Sequence, residues 1–180
     1  MRKISNLFLG IVIAITVPVL GYAAETSVKL EVRSSAFAEG QAIPSDFTCD
    51  GANMSPPVAW SGVPAGTGSL AVIVDDPDAP DGTLNHWLLY DLSPKLTQLP
   101  SGIPAEAIIP DGGFQGRSEL GKAGYSGPCP PVGKHRYFIK VFALDRILHL
   151  EPGVSKKELL AAMKGHVLAE GALMGTYARA

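Results

Sequence analysis

At 180 residues the chain has room for one domain with a real core and is too short for two comfortable ones. Its 15 basic and 17 acidic residues give a net charge of −2, with no basic stripe for nucleic acid and no polybasic segment for anionic lipid. The only cysteines, Cys49 and Cys129, are an even pair.

The chain starts with a segment of its own. Arg2 and Lys3 precede an apolar run from Leu7 to Leu20, and small residues follow at Gly21, Ala23 and Ala24. Charge, apolar stretch and small side chains in that order predict a secretory signal peptide over residues 1–23. The run is shorter than the ~20 residues that span a bilayer, so no stable membrane anchor is expected. Cleavage removes basic residues and no acidic ones, which leaves a more acidic domain over 24–180 in the periplasm or outside the cell. An oxidising compartment makes a Cys49–Cys129 disulfide the natural expectation.

Strand signals dominate the remainder. Val28, Leu30 and Val32 alternate with Lys29, Glu31 and Arg33, the period of a half-buried strand. Ser69 to Val74 and His86 to Leu92 are short apolar runs, which read as strands covered on both faces. Arg136 to Leu144 is the longest run; Tyr137, Ile139, Val141 and Ala143 point one way, Phe138 and Phe142 the other. Proline- and glycine-rich stretches at 55–68 and 110–134 predict ordered loops. Ser155 and Glu158 form a capping box, followed at helical spacing by Leu159, Leu160, Met163, Val167 and Leu168. Gly165 and Gly171 weaken that helix, leaving a closing strand from Leu168 to Tyr177 as the alternative. The economical architecture is mainly β: an antiparallel β-sandwich with one or two peripheral helices.

Chemistry gathers at the strand mouths. Asp75-Asp76-Pro77-Asp78-Ala79-Pro80-Asp81 follows a buried strand. Asp75 and Asp81 read as turn caps. The prolines restrict Asp76 and Asp78, and carboxylates so held orient a histidine or pair with an arginine. His86 opens one strand, while His135, Arg136 and Tyr137 open another. Between them, the loop from Gly124 to Pro131 offers backbone N–H groups at Gly124 and Gly127, held rigid by Pro128, Pro130 and Pro131, which suits an oxyanion. Together these residues predict one pocket for an anionic or phosphate-bearing ligand.

Other chemistries fit less well. Histidine and aspartate could hold zinc or iron, but no HExxH or close histidine pair supports a metal-dependent hydrolase. Gly124-Tyr125-Ser126-Gly127 fails the nucleophile elbow because its second glycine comes one residue early. The stretch from Gly116 to Ala123 nearly matches a P-loop, but ends in alanine where Ser or Thr must hold magnesium. His149 beside leucines, and His166 in the expected helix, read as structural. No catalytic residue, metal or cofactor is assigned, and the expectation is a binder rather than an enzyme.

The segments DPDAP (76–80) with the His86-Trp87 pair, and GPCPPVGKHRYF (127–138), resemble the two signature regions of the phosphatidylethanolamine-binding protein family, also called Raf kinase inhibitor-like proteins. TCDGANMSPPVAWSGVP, QGRSELGKAGY and GHVLAEGALMGTYAR are similar to its bacterial branch. The resemblance covers essentially the whole exported chain. It implies an antiparallel β-sandwich with a small anion pocket at one edge and a phosphate-bearing or zwitterionic ligand. Carried over by position, it implies a pocket core of Asp76, His86 and His135, a wall of Gly127, Pro128 and Tyr137, and an Asp78–Arg136 ion pair in support. Cys129-Pro130-Pro131 departs from the shorter loop of eukaryotic members, and the C-terminal tail departs from their gating helix, so of the gating residues only Tyr177 is a candidate. The resemblance also implies an alternative: a protein-interaction module or protease inhibitor with a partner in the cell envelope.

Overall fold

The computed structural model describes residues 28–109 and 112–179; the expected signal peptide over 1–23 lies outside the described residues. In chain order the elements are β1 (Val28–Lys29), β2 (Glu31–Arg33), a 3-10 turn (Ser45–Phe47), β3 (Val58–Ser61), β4 (Ser69–Asp76), β5 (Leu84–Leu92), β6 (Gln98–Leu99), β7 (Phe114–Gln115), β8 (Lys134–Leu144), α1 (Lys156–Met163) and β9 (Val167–Ala178). They form a six-stranded sheet in the order β1-β9-β8-β4-β5-β7 and a three-stranded sheet in the order β2-β3-β6. All pairs of named strands are antiparallel except β1 with β9. Among the described residues, no helix is long and apolar enough to cross a membrane.

The alternation read along 28–33 is one run in sequence and two strands in space. It changes sheets at Leu30, whose N–H donates to the Glu170 carbonyl at 2.9 Å before β2 joins the smaller sheet. Gly171 of β9 permits the crossing, since a Cβ there would collide with the Leu30 carbonyl.

Two cores follow from the two faces of the larger sheet. Leu70, Val72 and Val74 of β4 and Tyr137, Ile139 and Val141 of β8 face the smaller sheet, where Val32, Val58 and Trp60 meet them. Ala71 and Ile73 of β4 and Phe142 of β8 face the other way, under Leu159 and Met163 of α1. This accounts for the continuous apolar character of β4, buried along its whole length. Both tryptophans are buried with their indole N–H groups satisfied: Trp60 donates to the Leu96 carbonyl at 2.8 Å and Trp87 to Gln115 Oε1 at 2.7 Å.

The capping box forms as expected. Ser155 N–H donates to Glu158 Oε2 at 2.8 Å, and Glu158 N–H returns to Ser155 Oγ at 3.3 Å. The helix it starts is shorter than the spacing suggested. Gly165 takes φ of +81°, a left-handed conformation that ends the turn, and Val167 and Leu168 belong to β9 as exposed strand residues. His166 therefore lies outside the helix, with Nδ1 3.1 Å from Asp145.

Candidate functional site: a buried polar cavity at the end of the inner core

The apolar inner layer ends in polar side chains. Asp76 continues the inward set Leu70, Val72, Val74 of β4, and His135 with Tyr137 continues the inward set of β8. His86 arrives by a different device. In the pairing of β5 with β4, Trp87 opposes Val74 and Asn85 opposes Asp75, so His86 is the extra residue of a β-bulge. The bulge breaks strict alternation. Trp87 enters the inner core, while the Asn85 amide faces Asp75 at 3.3 Å. His86 is thereby brought against Tyr137 of β8 and into the same lining as Asp76 of β4.

The result is a cavity of about 110 Å³ lined by Asp76, His86, His135 and Tyr137, with an apolar rim that includes Leu84, Leu120, Pro130 and Pro131. The four polar residues are 3, 2, 6 and 1 % exposed respectively, so their polar atoms call for partners from protein, water or a ligand. Asp76 uses both oxygens: Oδ1 accepts the Asp78 N–H at 2.9 Å, and Oδ2 lies 2.8 Å from His135 Nδ1. The Tyr137 ring meets His86 edge-on at 5.3 Å and stacks near-parallel to His135 at 6.5 Å. His86 Nδ1 lies 2.7 Å from the Ser126 carbonyl. Among the described residues, His86 Nε2 and the Tyr137 hydroxyl are buried without a hydrogen-bond partner. Asn85 Oδ1 is buried without one too, but Asn85 does not line the cavity.

Burial holds the His86 imidazole below its ordinary range, outweighing the Ser126 carbonyl and the Asp76 and Asp75 charges that favour the cation. Burial pushes the Tyr137 phenol up, and the nearby Asp76 charge adds to it. The Asp76 carboxylate side chain thus lies close enough to act on the tyrosine, while its two oxygens meet the Asp78 N–H and His135 Nδ1.

Asp78 stands behind the cavity rather than in it. It takes Arg136 in a two-point grip, Nε to Oδ2 at 2.8 Å and Nη2 to Oδ1 at 2.6 Å, and also accepts the Arg136 backbone N–H at 2.9 Å. These bonds from Arg136 lower its carboxyl to about 2. The ion pair implied by the resemblance is formed, but Asp78 is not part of the lining.

Gly127 and Pro128 are also absent from the lining. The glycine N–H expected to meet an oxyanion is already used, donating to Asn53 Oδ1 at 2.8 Å, and the Pro128 carbonyl accepts the Cys49 N–H at 3.1 Å. Gly127 is needed for close contact: a Cβ there would meet Asn53 Oδ1 at 2.6 Å and the Phe47 carbonyl at 2.7 Å. The loop supports the cavity by gripping His86, since Ser126 N–H donates to the His86 carbonyl at 3.0 Å while its own carbonyl meets the ring. The sequence carried no signal for this, because both contacts use the main chain of a serine.

Asp75 is no turn cap either. It is buried at the end of β4 and holds Lys156 at 2.7 Å and Lys140 at 3.0 Å on the helix side of the sheet. Tyr177 lies outside the cavity, donating to Asp50 Oδ2 at 2.8 Å. His149 and His166 do not line it. The Cys49–Cys129 disulfide is formed, and Cys129 reaches the cavity wall. Among the described residues, no group of three His, Cys, Asp or Glu side chains is arranged to hold a metal ion. A larger open groove of about 480 Å³ lies over Lys29, Lys140, Phe142 and Glu170 on the outer face of the larger sheet, but none of its lining residues carries an unpartnered buried polar atom among the described residues.

Fold and cavity together define a β-sandwich with a small polar pocket at the end of its core. The chain belongs to the phosphatidylethanolamine-binding protein family, whose family model matches residues 33–178. A UPF0098 protein of Methanothermobacter thermautotrophicus is 49% identical over 150 residues, covering 83% of this chain and 99% of that protein. A UPF0098 protein of Chlamydia muridarum is 44% identical, with 82% of this chain and 98% of that protein covered. Among solved structures, the phosphatidylethanolamine-binding protein homolog CT736 of Chlamydia trachomatis is similar with a TM-score of 0.78 at 43% identity, covering 86% of this chain and 100% of that one. E. coli YbcL, described as a member of the mammalian family, gives 0.79 at 31% identity, covering 84% and 99%.

Proposed function

We propose that this family member is an exported binder of small phosphate-bearing anions, working in the periplasm or outside the cell, and that Asp76, His86, His135 and Tyr137 take the ligand. One observation carries the reading. Two buried polar atoms, His86 Nε2 and the Tyr137 hydroxyl, have no protein partner among the described residues and lie beside a buried His135–Asp76 pair. Leaving such atoms unmade costs about 1–3 kcal/mol each, and a ligand that met both would recover it. Asp76 engages the His135 ring at Nδ1, which leaves the second ring nitrogen for a ligand. None of these groups is paired as a nucleophile with an activating base, which favours a binding role over a catalytic one.

The test is titration calorimetry with inorganic phosphate and phosphoethanolamine. His135→Ala is expected to abolish binding, and unchanged affinity in that variant would refute the site. A protein partner in the envelope is the second reading, favoured by the exposure of Leu120 on the apolar rim, at 50 %, and of Val132, next in sequence to Pro131, at 76 %. Capture of a partner from envelope extract that persists in His135→Ala and in excess phosphate would favour it.

A further inference from the structure

The unpartnered atoms do not ask the same thing of a ligand. A carbonyl oxygen can only accept, so the 2.7 Å contact to Ser126 puts the hydrogen of the His86 ring on Nδ1. In the neutral ring Nε2 is then a bare lone pair, and it is the atom buried without a partner. Burial favours the neutral ring, outweighing the Ser126 backbone, Asp76 and Asp75 on β4 and the Gly127 backbone, while Tyr137 on β8 meets it edge-on and His135 on β8 lines the same cavity. The Tyr137 hydroxyl can donate or accept. An anion bearing only acceptor oxygens would therefore satisfy the tyrosine and oppose lone pair to lone pair at His86.

Building on the anion-binding reading above, we infer that the cavity selects oxyanions that retain a proton, hydrogen phosphate and singly protonated phosphomonoesters, over sulfate and simple phosphodiesters, with the ligand O–H donating to His86 Nε2. The discrimination is made by one hydrogen atom, because sulfate and phosphate are nearly the same size and shape. The unesterified phosphate keeps an O–H through the neutral range, whereas a diester has none to give. A phosphomonoester loses its last proton near pH 6. Its binding therefore strengthens as pH falls through about 6 from above, by protonation of the ligand. Sulfate gains only at pH values low enough to protonate His86 itself, when Nε2 becomes a donor.

The disulfide-bonded protein is titrated calorimetrically with phosphate, sulfate, methyl phosphate and dimethyl phosphate. Phosphate is expected to bind roughly a hundredfold or more tighter than sulfate at about pH 7, and methyl phosphate to exceed dimethyl phosphate by a similar factor at about pH 6, as sites with an unmet buried group reject ligands that cannot meet it. His86→Gln, whose amide can donate or accept, is expected to bring phosphate and sulfate within about threefold of each other, an unmet group no longer facing either ligand. A thermal melt checks that the variant folds, and the wild-type ratios stand without it. Equal affinities of the wild-type protein for phosphate and sulfate would overturn the proton requirement while leaving the anion site intact. Binding of none of the four probes, checked by phosphorus NMR, would overturn both.

Discussion

Asp75 and Asp76 are chemical twins with different work, and strand alternation is the cause. Asp76 faces the inner core and meets His135, while Asp75 faces the helix side and meets Lys140 and Lys156. The lysines reach Asp75 from β8 and from the first residue of α1, so one buried carboxylate joins the helix to the centre of the sheet. Asp75→Asn keeps the shape and removes the charge, leaving two ammonium groups facing a neutral amide. Urea unfolding is expected to show a loss of about 1–3 kcal/mol, the range for a missing charged hydrogen bond whose partners can still reach water. A loss below about 0.5 kcal/mol, typical of a surface change, would mean that the lysines are held by solvent rather than by Asp75.

At the level of elements, the long strands were legible because their side chains obey a strict period. β4, β5 and β8 fall where apolar runs and alternation put them, to within a few residues. β6 and β7, of two residues each, were not legible, and neither was β3 inside the 55–68 stretch. Such short strands exist because a neighbour supplies the pairing, and nothing local marks them. The tail was ambiguous for a definite reason: leucine, methionine and valine keep helical spacing through Leu168, and Gly165 alone marks the break. For the cavity, Asp76, His86, His135 and Tyr137 were legible from their place at strand mouths and from resemblance. The bulge that aims His86 was not, because an extra residue in one strand shows only against its partner. The commitment of the Gly127 amide to Asn53 was equally hidden, being a contact across 74 residues. Gly171 is the element-scale feature that can be tested directly. A methyl there meets the Leu30 backbone at the point where β1 passes into β2, and backbone has nowhere to yield. Gly171→Ala is expected to cost about 3 kcal/mol, the upper end of ordinary overpacking, in urea unfolding. Gly82→Ala, with open space around it but φ of +106°, should cost less, about 1–2 kcal/mol from backbone strain alone. Equal costs at the two sites would remove the crossing contact from the account.

Across the whole molecule, two clasps hold the ends of the chain's path around the cavity. The disulfide ties Cys49, just after the 3-10 turn, to Cys129 in the cavity wall, closing a separation of 80 residues. Beside it, Asp50 accepts from the Tyr177 hydroxyl at 2.8 Å and from Arg179 Nε at 3.1 Å, which fastens the end of β9 to the same loop. Tyr177 lies opposite His135 in the β8–β9 register, so this second clasp sits beside the strand that carries half of the polar cavity. Closing a loop of this length stabilises by at most about 4–5 kcal/mol on the chain-entropy model. That is a large share of the roughly 5–15 kcal/mol that holds a typical domain together. Reduction is therefore expected to lower the urea midpoint strongly while leaving a folded population in water. Because Cys129 lines the cavity and Pro128 accepts the Cys49 N–H, loosening the bridge also frees the loop that grips His86 through Ser126. Phosphate affinity should then fall severalfold in the reduced, still-folded protein, measured by calorimetry with and without reductant. Stability lost with affinity unchanged would assign the bridge to the chain alone. Both falling together would make the cavity a property of the oxidised protein.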